Sequence, residues 1–124
     1  MSDILLVSSR SNCWTDFVSA LKANGEFLIK AVRSGREALN CLEQVRFVAV
    51  IVDEEIEDVS ALGLVRQVVG IDAMINIACV SGLSEAEFHE QAEGLGILMK
   101  LPLHPNAEDA FRFTECLYRV AGAI

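Results

Sequence analysis

No apolar stretch in this chain approaches the roughly 20 residues that a membrane-spanning helix needs. The start, Met1-Ser2-Asp3, lacks the basic segment that opens a secretory signal, and a cytoplasmic location is the expectation. Cations are scarce. Lys and Arg number 10 against 18 Asp and Glu, a net charge of -8, and that sign repels a phosphate backbone, which speaks against direct nucleic-acid binding. The four cysteines, Cys13, Cys41, Cys79 and Cys116, form no C-x-x-C pair and have no histidine at ligand spacing. A zinc site and a disulfide framework are not expected; Cys41 and Cys79 sit within apolar patterns and read as small buried hydrophobes. No P-loop, Ser-His-Asp order or Asp-x-Asp phosphohydrolase motif occurs.

What the chain does have is apolar periodicity. Its 124 residues are 52% hydrophobic, enough for one domain with its own core. Strand signals at 3–8, 27–32, 47–52, 73–80 and 97–101 alternate with helix signals at 12–23, 35–45, 61–69 and 85–93, and a last helix after Asn106 runs to about 121. Ser34-Gly35-Arg36-Glu37 and Ser84-Glu85-Ala86-Glu87 are capping boxes. Ser60 and Asn106 are further caps, and Gly94 suits a helix stop. The expected helix faces are Trp14, Phe17, Val18 and Leu21 in the first, Ala38, Leu39, Leu42 and Val45 in the second, and Phe111, Leu117 and Val120 in the last. This order predicts the α/β class: a single doubly wound five-stranded parallel sheet, (βα)5, over residues 1–124, with the flavodoxin-like strand order 2-1-3-4-5.

The apolar run Phe47-Val48-Ala49-Val50-Ile51-Val52 reads as a strand buried on both faces, ending in an exposed carboxylate, Asp53. In such a sheet the carboxyl ends of the strands carry the chemistry, and the switch point between strands one and three puts Ser8, Ser9 and Asp53 on one rim. Residues 53–58 hold five carboxylates in six positions. They read as a solvated acidic loop, in which crowding without a metal raises some pKa values. The loop Ser8-Ser9-Arg10-Ser11-Asn12 combines hydroxyls, an arginine and a helix N-terminus, the makings of an anion site.

In order and spacing these segments resemble a response-regulator receiver domain over nearly the whole chain. Ile4-Leu5-Leu6-Val7-Ser8-Ser9 is similar to the family's first strand and acid pair. Ser34-Gly35-Arg36-Glu37-Ala38-Leu39 is close to its Gly-x-Glu-Ala-Leu helix opening. Val50-Ile51-Val52-Asp53 resembles the phosphoacceptor strand, Cys79-Val80-Ser81-Gly82 the end of strand four, and Leu101-Pro102-Leu103 the Lys-Pro turn after strand five. The resemblance implies a phosphoryl group passed from a sensor histidine kinase to Asp53. Mg²⁺, held by the acid pair, the acceptor and a backbone carbonyl, would neutralise charge, while the Ser81 hydroxyl and a strand-five ammonium would hold phosphoryl oxygens.

The chain departs from that pattern where the charge should be. Ser8 and Ser9 replace the acid pair, so Mg²⁺ should bind weakly at most, through Asp53 with Glu55 as the best-placed replacement ligand. Leu101 aligns with the lysine; Lys100 is one residue early, on the opposite face of the strand, and could serve only through a bulge. Glu57 stands where the family usually has Pro, and Leu98 or Ile97 where it often has a switching aromatic. The resemblance therefore implies an atypical receiver in two-component signalling, not an enzyme, that acts through protein-protein interaction. Its expected partners are a sensor histidine kinase or other signalling protein, or a second copy through the fourth helix, fifth strand and fifth helix. The alternative is a flavodoxin-like protein binding a phosphate or nucleotide, or a small enzyme, although the loop at 8–12 lacks the glycine and threonines of a flavin phosphate cradle.

Overall fold

The computed structural model describes residues 2–10, 12–24 and 27–121. Its elements are β1 (Ser2–Val7), α1 (Thr15–Asn24), β2 (Phe27–Val32), α2 (Gly35–Gln44), β3 (Ala49–Val52), α3 (Ala61–Ile71), β4 (Asn76–Val80), α4 (Glu85–Gln91), β5 (Met99–Leu101) and α5 (Ala107–Ala121). All neighbouring strands are parallel, in the order β2-β1-β3-β4-β5. The predicted class and strand order are those observed.

The period of two along the strands divides the core into two layers. Ile4, Leu6, Ala49, Ile51, Ala78, Val80 and Leu101 pack on Trp14, Phe17 and Leu21 beside α1 and on Ala110, Phe113 and Leu117 of α5. Leu5, Val7, Val50, Val52, Ile77 and Cys79 face the opposite way, onto Ala38 of α2, Leu64, Val65 and Val68 of α3, and Phe88 of α4. Both faces of β1 and β3 are therefore apolar, which is why those strands read as continuous hydrophobic runs. Phe17 stacks edge-on to Trp14, ring centroids 5.3 Å apart, and lies 6.2 Å from Phe113, joining α1 to α5.

The caps lie where the sequence puts them, and of the two predicted capping boxes Ser84–Glu87 closes, while the Glu37 side chain accepts from Arg33 N at 3.3 Å and not from Ser34 N. The Ser34, Ser60 and Ser84 hydroxyls accept from the amides of Glu37, Gly63 and Glu87, and the Asn106 side chain accepts from Asp109 N at 3.0 Å. Gly94 adopts φ 82° after α4, a conformation that favours glycine. Gly35 is needed for a different reason: a Cβ there would lie 2.7 Å from Val59 Cγ1.

Three expectations need correction. Val45, expected on the apolar face of the second helix, is the cap residue after α2 and is exposed, because its extended backbone leaves the helix there. The fourth strand begins at Asn76, not 73, because Asp72 turns the chain by accepting from Met74 N at 3.0 Å, leaving Met74 exposed. On α5, Phe111 and Val120 point to solvent, 54% and 61% exposed. Stepping back from Leu117 by four and seven residues gives Phe113 and Ala110, and these form the buried face. Among the described residues, no helix is long and apolar enough to cross a membrane.

Candidate functional site at the carboxyl edge of the sheet

Val7 lies opposite Val52 in the β1–β3 register, so Ser8 and Asp53 leave the sheet side by side. Asp53 N donates to Val7 O at 2.8 Å. Strand alternation turns both side chains toward α1 and α5.

There Asp53 is not exposed, as its strand-end position suggests; its relative exposure is 0%. The cause is Arg10. The guanidinium covers the carboxylate with two parallel bonds, Nε to Oδ2 at 2.8 Å and Nη2 to Oδ1 at 2.7 Å. The Ser8 hydroxyl donates to Oδ2 at 2.5 Å, and Glu54 N donates to Oδ1 at 2.7 Å. Ser8 Oγ is itself held by Trp14 Nε1 and Arg10 N, each at 3.0 Å. A charge so deeply buried is tolerable because it is paired and hydrogen-bonded on every side. The hydrogen bond to Asp53 raises the Arg10 pKa further, against the opposing effect of burial. Burial also pushes the neighbouring Cys13 thiol up, although the Arg10 charge pulls the other way. Ser11 of the loop at 8–12 lies outside the described residues. The anion that Arg10 holds is the chain's own Asp53.

The acidic loop is not simply solvated. Glu54 Oε2 accepts from Gly82 N at 2.8 Å, tying the loop after β3 to the loop after β4. Glu57 pairs with Arg33 at 3.0 Å. Asp58 accepts from Gly35 N at 2.7 Å and Arg36 N at 3.1 Å, a carboxylate on the N-terminus of α2. Crowding does not raise its pKa; those two amides hold it below the ordinary value. Only Glu55 offers its backbone instead, its carbonyl accepting from Ser9 N at 2.9 Å and Ser9 Oγ at 3.0 Å.

The other candidates stand apart from Asp53. Ser81 is buried, and its hydroxyl accepts from Leu83 N at 3.1 Å, closing the turn into α4. The β4–β5 register runs without interruption from Met99 to Leu101, and Lys100 pairs with Cys79. Lys100 thus shares the Cys79 side of the sheet, and Leu101 is buried on the α1–α5 side. The Lys100 ammonium reaches the Ser81 backbone carbonyl at 3.3 Å. Among the described residues, neither Ser81 nor Lys100 hydrogen-bonds Asp53. Cys79, beneath this edge, has a thiol pKa raised to about 12, chiefly by burial.

As a metal site the donor set is already spent. The two hydroxyls that stand for the acid pair donate to the oxygens a cation would take, Ser8 to Asp53 and Ser9 to the Glu55 carbonyl. Among the described residues, no group of three or more His, Cys, Asp or Glu side chains converges on one point. Mg²⁺ demands near-ideal octahedral oxygen ligation, and the residues around Asp53 do not fit it.

No protein-family model matches this sequence, and no curated protein is significantly similar to it. Its backbone, however, superposes on solved receivers from end to end. A CheY-like response regulator receiver domain protein from Methanospirillum hungatei JF-1 matches with a TM-score of 0.82 at 16% identity, over 98% of this chain and 97% of that one. A two-component response regulator from Clostridium difficile matches at 0.84 and 14% identity, over 99% and 100%. A chemotaxis response regulator of Vibrio cholerae matches at 0.82 and 18%, over 94% and 98%.

The chain has the receiver fold. Asp53 stands at the carboxyl end of β3, and Arg10 covers it. The sequence contained a signal for this pairing: an arginine and an acid without its usual partners, both placed on one rim by the strand order. The Glu54 contact with Gly82 had no comparable signal, because it joins two loops whose approach depends on their detailed path.

Proposed function

We propose that this chain is a receiver-type module of two-component signalling that partner proteins recognise without a phosphoryl group on Asp53. The observation that carries the reading is the Arg10 fork on Asp53. Phosphorylation requires a carboxylate oxygen free to attack, a path for the phosphodonor and a divalent cation to offset the meeting of two anions. Asp53 is 0% exposed, both of its oxygens accept bonds from Arg10, and no acid pair is present to hold Mg²⁺. Arg10 supplies permanently the positive charge that a metal would supply conditionally. Lys100, directed at the Ser81 carbonyl, adds no cation to Asp53.

The module's role is then binding rather than catalysis. A candidate partner face runs beside β5 and α5, where Leu103, Phe111 and Tyr118 are exposed large hydrophobic residues; Phe111 and Tyr118, seven apart, share one side of the helix. A histidine kinase, another cytoplasmic signalling protein or a second copy of the chain would dock there.

Intact-mass measurement after incubation with acetyl phosphate and Mg²⁺ tests the reading. No adduct is expected. A labile phosphoryl adduct that is lost in Asp53→Ala would overturn it.

A further inference from the structure

The groove between the end of β2 and α1 has properties that the receiver reading leaves unused. It is a cavity of about 380 Å³ lined by Leu6, Trp14, Val18, Ala31, Arg10 and Arg33, with the hydroxyls of Ser8, Thr15 and Ser19 at its border. That volume lies in the range of small-ligand pockets. Its charge sets it apart. The chain is strongly acidic, and among the described residues four further cavities are each lined by at least one carboxylate, whereas this one is lined by two arginines whose carboxylate partners, Asp53 and Glu57, lie outside the lining.

Arg10 is the decisive residue. It commits Nε and one Nη2 proton to Asp53, while Nη1 makes no hydrogen bond among the described residues. A guanidinium has two edges suited to a planar carboxylate. One edge is filled by Asp53; Arg10 also lines the cavity, and its outer edge, Nη1 with the second Nη2 proton, makes no hydrogen bond among the described residues.

We propose that this cavity binds a small amphipathic carboxylate, its head on the outer edge of Arg10 and its apolar body against Trp14, Val18 and Ala31. The carboxylate would make a planar, bidentate pair with the guanidinium, and the mainly apolar lining favours a monoanion with a hydrocarbon body over a phosphate ester. Such a ligand would load the Arg10–Asp53 pair from the other side. It would therefore reach the receiver edge without any covalent step, and its binding rests on the proposed reading in which Asp53 stays unmodified and holds Arg10 in place.

Trp14 is the one tryptophan of the chain and lines the cavity, so its emission reports occupancy. Octanoate is the probe and octanol the uncharged control. Octanoate is expected to change Trp14 emission saturably and to raise the melting temperature by mass action. Octanol is expected to bind at least about tenfold more weakly, for want of the charged hydrogen bonds. Ala31→Phe, at an exposed position on β2, and Ser19→Phe, at an exposed position on α1, should each block the response while leaving the fold intact; two sites guard against one variant failing to fold. Absence of a response up to about 10 mM octanoate, equal binding of octanol, or unchanged octanoate binding in folded Ala31→Phe and Ser19→Phe variants would each overturn the proposal.

Discussion

Arg10 and Asp53 form a two-bond ion pair across the β1–β3 edge, at 2.8 and 2.7 Å, with side-chain exposures of 18% and 0%. Arg10→Ala removes two charge-assisted bonds but uncovers Asp53 to water, so it should lower unfolding stability by about 1.5–3 kcal/mol, whereas removing both members can be nearly neutral. The double variant Arg10→Met, Asp53→Leu should recover most of that loss. Urea unfolding of the single and double variants measures it, and additive losses would show that the pair is not a unit.

Ser8 is the hub behind that pair, since its hydroxyl donates to Asp53 Oδ2 and accepts from Trp14 Nε1. Ser8→Ala leaves a buried indole N–H without its partner and takes one donor from the carboxylate. The expected cost is about 1–3 kcal/mol, accompanied by a shift in Trp14 emission in the folded state. Urea unfolding followed by fluorescence reads both. Ser9→Ala, which loses only a bond to the exposed Glu55 carbonyl, should cost less than about 1 kcal/mol.

These two residues also mark how far sequence reasoning reaches. The strands were legible because β1 and β3 are apolar on both faces, and the helix starts because Ser34, Ser60, Ser84 and Asn106 carry capping side chains whose geometry is local. The rim shared by Ser8 and Asp53 followed from strand order. The burial of Asp53 did not, because it depends on which way Arg10 folds from its loop. Phe111 and Val120 misled because an apolar residue on a helix does not declare its side. Only the repeat of Ala110, Phe113 and Leu117 does.

Asp58 gives the acid limb of stability a local origin. The amides of Gly35 and then Arg36 hold its pKa below the ordinary value of 3.8. A depressed carboxylate pKa stabilises the folded chain at pH above the unfolded value, and that contribution is lost as pH falls through the folded one. The window therefore lies below pH 3.8. In an NMR titration the Gly35 and Arg36 amide shifts should move with a midpoint below that value. Asp58→Asn should remove the midpoint.

Glu54 fixes the loop after β4 by accepting from Gly82 N at 2.8 Å. Glu54→Ala frees that amide while leaving the Asp53 contacts of its own backbone N–H in place. Hydrogen exchange at Gly82 should quicken by about fivefold or more, as a charge-assisted bond is lost at an exposed site. Exchange in β1 and β3 should not change. An equal acceleration throughout the sheet would mean that Glu54 supports the whole fold, not one loop.

If Arg10 stands in for a metal, the substitution should be reversible. Ser8→Asp and Ser9→Asp restore two carboxylates beside Asp53, and Arg10→Ala vacates the cation's place. Without metal this triple variant crowds three acids together and should be less stable than the wild type. Mg²⁺ should then bind it at least about tenfold more tightly than it binds the wild type, because hard oxygen anions replace neutral hydroxyls. The binding should raise its melting temperature in proportion to occupancy, while the wild-type melting temperature stays flat. Melting curves across a Mg²⁺ series, with Na⁺ at matched ionic strength as control, separate specific ligation from screening. A triple variant that folds yet responds equally to both salts would show that the charge on Arg10 is not what excludes the metal.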